Sequence, residues 1–131
     1  MAAAAIATAK RKARDRGLTA HFLVANALDL TVLDQNFDSV LDSGLFHVFT
    51  DADRAVYVES LASVVSAGGR YYLLCFSDEQ PGDWGPRRIT REEILSTFDE
   101  GWTVESVEST TIDLTINSDG ARAWLATIAR S

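Results

Sequence analysis

The stretch FDSVLDSGLFHVFTDADR, Phe37 to Arg54, decides how the fold is read. Ser39 to Leu41, extended by its neighbours, reads as a buried strand. It breaks into Asp42-Ser43-Gly44 and resumes at once as Leu45-Phe46-His47-Val48-Phe49. A carboxylate closing an apolar strand is costly unless it is paired or belongs to a site. A glycine beside it lets the backbone turn or a ligand approach closely. Thr50 then begins a helix, with Asp53 three places on as in a capping box. Tyr57, Leu61, Val64 and Val65 follow at helical spacing until Gly68-Gly69 ends the segment.

Working outward, AAAAIATAKRKARDRG is built of strong helix formers and stops at Gly17, a residue suited to the left-handed turn that closes a helix. His21 to Ala25 (HFLVA) is a short apolar run and reads as a second buried strand. RYYLLCFS, from Arg70, is apolar on both faces, the pattern of a central parallel strand. Thr90 to Phe98 is a well-signalled helix. Thr90 and Glu93 fit a capping box, Ile89 and Ile94 the staple, and Ile94, Leu95 and Phe98 form its apolar face. Ile112, Leu114 and Ile116 alternate at period two before the turn Asn117-Ser118-Asp119-Gly120 and the strand RAWLATIAR, which predicts a hairpin. That last strand is apolar on both faces and belongs inside the sheet. The order predicts an α/β domain whose mostly parallel sheet, covered by helices on both faces, is made mixed by a C-terminal antiparallel hairpin. Ligands in such sheets sit beyond the carboxyl ends of the strands, where Asp42-Ser43-Gly44 lies.

The 131 residues, 47% hydrophobic and 24% charged, suit one domain over 1–131. The single Cys75 forms no intramolecular bridge, pointing to a reducing, cytoplasmic setting, and with His21 and His47 it gives no metal-ligand spacing. The longest apolar run, Tyr71 to Phe76, is too short to cross a bilayer. Net charge is −7, yet Lys10, Arg11, Lys12, Arg14 and Arg16 crowd the start. The rest is strongly acidic, which disfavours a nucleic-acid surface. The basic start is read as a solvated helix face in preference to a transit peptide.

The segments VANALDL (Val24 to Leu30), FDSVLDSGLFH (Phe37 to His47), YVESLASVVSAGGRYYLLCF (Tyr57 to Phe76) and PGDWGPRRITREEILSTFDEGWTVESVE (Pro81 to Glu108) resemble, in order and spacing, class I S-adenosylmethionine-dependent methyltransferases. The last segment is most similar to the small-molecule thiol and thiopurine members. The resemblance implies a Rossmann-like sheet and places Asn26, Ala27 and Leu28 at the adenine, with Asn26 standing where an aspartate is usual. It places Asp42, Ser43 and Gly44 under the methionine part of the cofactor, and Leu45, Phe46 and His47 toward the methyl group and acceptor. The family's first strand, its Gly-rich loop and the acid that grips the ribose have no counterpart here. The resemblance therefore implies an N-terminally truncated domain with weak or lost S-adenosylmethionine binding and open strand edges, suited to pairing as a homodimer.

His47 carries two readings, general base for an acceptor that loses a proton or hydrogen-bonded packing residue. Trp84 and Arg87 lie on a long loop after a strand end, placed to hold a small-molecule acceptor; ion pairing with surface acids is the alternative, favoured more for Arg88 than for Arg87. Tyr71, Tyr72, Trp102 and Trp124 read as packing residues. Three functions are expected in descending order: a small-molecule methyltransferase, a non-catalytic fragment that oligomerises as a binding module, and a nucleotide-binding oxidoreductase, the last disfavoured by the missing glycine fingerprint.

Overall fold

The computed structural model describes residues 2–114 and 119–131. A first helix, α1 (Ala2–Asp15), is followed by a four-stranded mixed sheet of β1 (Phe37–Ser43), β2 (Val65–Phe76), β3 (Trp102–Ile112) and β4 (Ala121–Arg130), with α2 (Asp51–Ala62) and α3 (Arg91–Thr97) between strands. Strand order is β1-β2-β4-β3. The pair β1–β2 is parallel, and β2–β4 and β3–β4 are antiparallel. The two apolar faces of β4 thus mark an interior strand, flanked on both sides. Asn117 and Ser118 of the expected hairpin turn lie outside the described residues.

Local signals set the helix ends. Gly17 takes φ +68°, and the bonds Gly17 N–H to Arg14 O and Leu18 N–H to Ala13 O close α1 as a Schellman motif. Thr50 caps α2 by accepting from Asp53 N–H, and Thr90 with Glu93 forms the reciprocal box of α3. Beyond the caps, several expectations fail. His21–Ala25 forms no strand: Leu23 and Val24 stay more than half exposed, because an extended run becomes a strand only when a neighbour satisfies its N–H and C=O groups. β1 is a strand but lies at the sheet edge, with Leu41 72% exposed. The α2 helix ends at Ala62, so Val64 precedes β2 and Val65 begins it, and Gly68-Gly69 falls inside a strand whose pairing with β1 shifts register there. A Cβ on Gly69 would lie 2.8 Å from Ser66 O and 2.9 Å from Asp38 O, so the irregular ladder passes too close for a side chain. Leu95 is exposed, leaving Ile94 and Phe98 as the buried face of α3.

The core lies on one face of β2. Tyr71, Leu73 and Cys75 alternate inward and meet Tyr57 and Leu61 from α2 and Ile94 and Phe98 at α3. The aromatic rings of Phe46, Tyr71 and Trp102 gather around Phe98 in tilted and edge-on contacts with centroids 5.5–6.5 Å apart, each worth about 0.5–1.5 kcal/mol beyond area burial. Tyr72 and Leu74, on the opposite face, are only half covered, so both core helices pack on the same side, not one on each as expected.

Candidate functional site

The carboxyl end of β1 is shaped by one side chain. Asp42 is 5% exposed; its Oδ1 accepts from Leu45 N–H at 2.9 Å, and its Oδ2 from the phenols of Tyr57 at 2.8 Å and Tyr71 at 2.6 Å. The two phenols are themselves 3.2 Å apart. Burial and this neighbouring negative charge raise the pKa of both phenols well above the ordinary tyrosine value, so they stay protonated. The charge is thus compensated by three donors, as a buried carboxylate requires. Gly44 continues the ladder through its N–H to Leu74 O and takes φ +87°, which turns the chain back sharply.

That turn delivers a single 3-10 turn, Phe46–Val48. Phe46 is fully buried beneath the Arg54 guanidinium, 4.7 Å from its ring centre, and packs on Phe98. It therefore does not face an acceptor, contrary to the sequence expectation. His47 is 6% exposed, its Nδ1 accepts from Phe76 N–H at 2.9 Å, and its ring stands edge-on to Phe76. Burial lowers its pKa below 6.5, with the Asp42 charge and the Gly44 backbone opposing and Arg88 assisting. Since a backbone amide occupies the Nδ1 lone pair, the neutral ring carries its proton on Nε2. With Nδ1 taken by the Phe76 amide and the ring N–H engaged by the Gly44 backbone, His47 has the arrangement of a hydrogen-bonded packing residue and holds no free lone pair for a general base.

Beyond β2 the chain loops out and returns through Ile89, whose N–H reaches Phe76 O and whose carbonyl accepts from Asp78 N–H and Trp124 Nε1. The loop brings Pro86 and Arg87 to His47, Val48, Phe49, Thr50 and Asp51, and together they line an open cleft of about 520 Å³. Arg87 Nη2 donates to Asp51 Oδ1 at 2.8 Å across it. Leu45 is partly exposed nearby in sequence, and Trp84 meets Phe76 edge-on and lies under the Arg88 guanidinium without lining the cleft. The expected division between the arginines is reversed. Arg87 makes the ion pair, and Arg88 donates to the carbonyls of its own loop.

Asn26 Oδ1 accepts from Leu28 N–H at 3.0 Å and Asn26 O from Asp29 N–H, closing a small turn. The exposed Asn26 amide keeps its NH2 and one oxygen lone pair free, beside the half-buried Ala27 and Leu28. That donor set fits an adenine ring. Ser43 is exposed and Gly44 half-buried at the strand end, leaving backbone for a ligand, whereas the Asp42 carboxylate points into the tyrosine pair. Among the described residues no shared hydrogen-bond partner joins Asn26 to Asp42. Among the described residues no group of three or more His, Cys, Asp or Glu side chains is placed to hold a metal, and no helix is long and apolar enough to cross a membrane. Sequence reasoning missed Tyr57, Tyr71, Phe49 and Asp51; nothing local in the chain signals them.

The cleft lies beyond the carboxyl strand ends of a Rossmann-like mixed sheet, where ligands of such α/β domains bind. Comparison with known proteins agrees: residues 1–69 match the family described as methyltransferase domain, and the chain belongs to that family. It is 32% identical over 119 residues to the 2-heptyl-1-hydroxyquinolin-4(1H)-one methyltransferase of Mycobacteroides abscessus, covering 88% of this chain and 52% of that protein. It is 39% identical over 80 residues to the demethylmenaquinone methyltransferase of Thermus thermophilus, covering 61% and 36%. The chain thus spans about half or less of the length of these relatives. A solved structure from work on the conversion of a disulfide bond into a thioacetal group during echinomycin biosynthesis superposes with a TM-score of 0.81 at 32% identity, over 96% of this chain and 62% of that one.

Proposed function

We propose that this chain takes part in S-adenosylmethionine-dependent methyl transfer to a small molecule, and that the acceptor occupies the cleft between His47 and Arg87. The observation that carries the proposal is the meeting of His47, on the turn after β1, with Pro86 and Arg87, on the loop after β2, in a chain of the methyltransferase domain family. When bound, S-adenosylmethionine supplies an electrophilic methyl group, so the protein's task is mainly alignment and exclusion of water. Phe49 and Val48 give an apolar wall, the His47 ring closes one end, and Arg87 balances negative charge on the acceptor. Asn26, Ala27 and Leu28 hold the adenine edge, and the Ser43-Gly44 backbone lies against the amino-acid end. Asp42 acts on this site through the backbone it fixes.

Incubation with methyl-labelled S-adenosylmethionine and 2-heptyl-1-hydroxyquinolin-4(1H)-one, with calorimetric titration of S-adenosylhomocysteine, tests the reading. Labelled quinolone, together with heat from the titration, supports it. Absence of both at millimolar ligand overturns it for this chain. The exposed edge of β1, with Leu41 72% and Phe37 39% exposed, favours a second reading as an oligomerising module. Light scattering separates the two, since a strict monomer contradicts assembly through that edge.

A further inference from the structure

We propose that Arg88 is a positioning residue whose guanidinium is the template for the loop 81–87, and that it thereby holds Pro86 and Arg87 in place as one wall of the cleft. The part concerning the cleft rests on the acceptor reading above. Among the described residues, no backbone group from 81 to 88 takes part in a backbone–backbone hydrogen bond. The composition explains this: Pro81 and Pro86 have no N–H, and Gly82 and Gly85 take φ +87° and +73°. A segment of this kind has little to order it from within. Its carbonyls instead converge on one side chain.

Arg88 Nη1 donates to Pro86 O at 2.6 Å and Trp84 O at 2.9 Å, and Nε to Gln80 O at 3.2 Å. Nη2 makes longer approaches to Pro81 O at 3.4 Å and Gly82 O at 3.5 Å. The ion pairs among the described residues involve Arg54, Arg70 and Arg87, and Arg88 makes none. In a chain of net charge −7 this cation is matched to backbone oxygens in preference to the abundant acids. Both aromatic neighbours are engaged as well. The guanidinium carbon lies 5.2 Å from the ring centres of Phe76 and of Trp84, and Phe76 is the residue whose N–H and ring fix His47. One planar cation therefore links the loop to the histidine side of the cleft. Lysine preserves the charge but has neither a planar face nor a fork of donors fixed in direction, so it reaches fewer carbonyls and stacks on neither ring.

The test compares Arg88→Lys, Arg88→Gln and Arg87→Ala with the parent chain. Backbone ¹⁵N order parameters for residues 82–88 are expected to fall from about 0.85 to below about 0.6 in both Arg88 variants, with β2 and β4 unchanged. In Arg87→Ala they should stay high, since that side chain pairs only with the exposed Asp51. With the quinolone as acceptor, Arg88→Lys should raise its KM about tenfold or more, leaving the KM of S-adenosylmethionine unaltered. A loop that stays rigid in Arg88→Lys overturns the proposal. Order lost equally in the strands, or both KM values rising together, does the same by reducing Arg88 to general stability. A parent chain that transfers no methyl group refutes the acceptor reading and the cleft clause with it, whereas the relaxation data decide the template without cofactor or acceptor.

Discussion

Replacing Asp42 tests whether this carboxylate is structural. In Asp42→Ala, Leu45 N–H and the phenols of Tyr57 and Tyr71 all lose their acceptor at once. The phenols stand 3.2 Å apart, so one can donate to the other, leaving one phenol and one amide without a partner. At about 1–3 kcal/mol for each buried donor left unsatisfied, the loss is about 2–6 kcal/mol, centred near 4. Asp42→Asn keeps a carbonyl oxygen for one of these donors, and its NH2 can face a phenol oxygen, so about 1–2 kcal/mol is expected. With about 2.1 cal/mol/K of unfolding entropy per residue, 131 residues give about 0.28 kcal/mol/K, so the alanine variant should melt roughly 14 °C lower and the asparagine variant roughly 5 °C lower. Urea titration followed by far-UV circular dichroism reads both. If Asp42→Ala abolishes folding, Tyr71→Phe serves in its place, with a loss of about 1.5–3 kcal/mol for one bond to a charged acceptor. The reasoning fails if Asp42→Asn leaves stability unchanged while S-adenosylhomocysteine binding weakens, because the carboxylate would then serve the ligand and not the strand end.

Three further outcomes follow from the same structure. The lowered pKa of His47 means that the unfolded chain binds more protons below the ordinary value of 6.5; its stabilising contribution is therefore complete above that value and is lost as pH falls from 6.5 toward the folded-state value, a slope that Asn in place of His47 should remove from urea midpoints measured between about pH 5 and 7. Cys75 is fully buried and its thiol is pushed up to about 12, so iodoacetamide should modify it only through opening of the sheet, at a rate that rises with urea in step with unfolding. Gly69→Ala should cost about 1–3 kcal/mol by forcing the β1–β2 ladder apart, because the added carbon meets two backbone oxygens within 3 Å; an unchanged urea midpoint would show that the ladder yields freely.

What could be read from the chain was local or periodic. The Thr90–Glu93 box and the Gly17 terminator act within six residues, and the doubly apolar β4 reports its interior place by pattern alone. What could not be read was anything that depends on a distant partner. HFLVA has the composition of a strand, but no neighbour completes its hydrogen bonds, so composition misleads. Gly68-Gly69 reads as a helix stop, yet Gly69 is required by a backbone 31 residues away, at Asp38 O. Asp42 was recognised as an anomaly at a strand end, but its partners lie 15 and 29 positions along the chain, beyond any motif spacing.

The polar residues around the cleft share one use, and it narrows what the site can do. Asp42 satisfies Leu45 N–H, His47 satisfies Phe76 N–H, and Arg88 gathers the carbonyls of its loop. Each looked from the sequence like a candidate for ligand chemistry or surface pairing, and each is committed to holding irregular backbone that has no ladder of its own. Such backbone cannot remain unpaired where water is excluded. The groups left over at the cleft are the Arg87 cation shared with Asp51 and the aromatic face of Phe49; no free base stands among its lining residues other than the Asp51 carboxylate already paired with Arg87. For the proposed transfer this favours an acceptor that reaches the cleft already ionised, or loses its proton to water, over one that a side chain must deprotonate. Rates measured against pH should then follow the acceptor's own pKa, moving when the acceptor is changed and staying fixed when His47 is replaced by asparagine; a profile that keeps one inflection across acceptors of different acidity would show that the protein supplies the base.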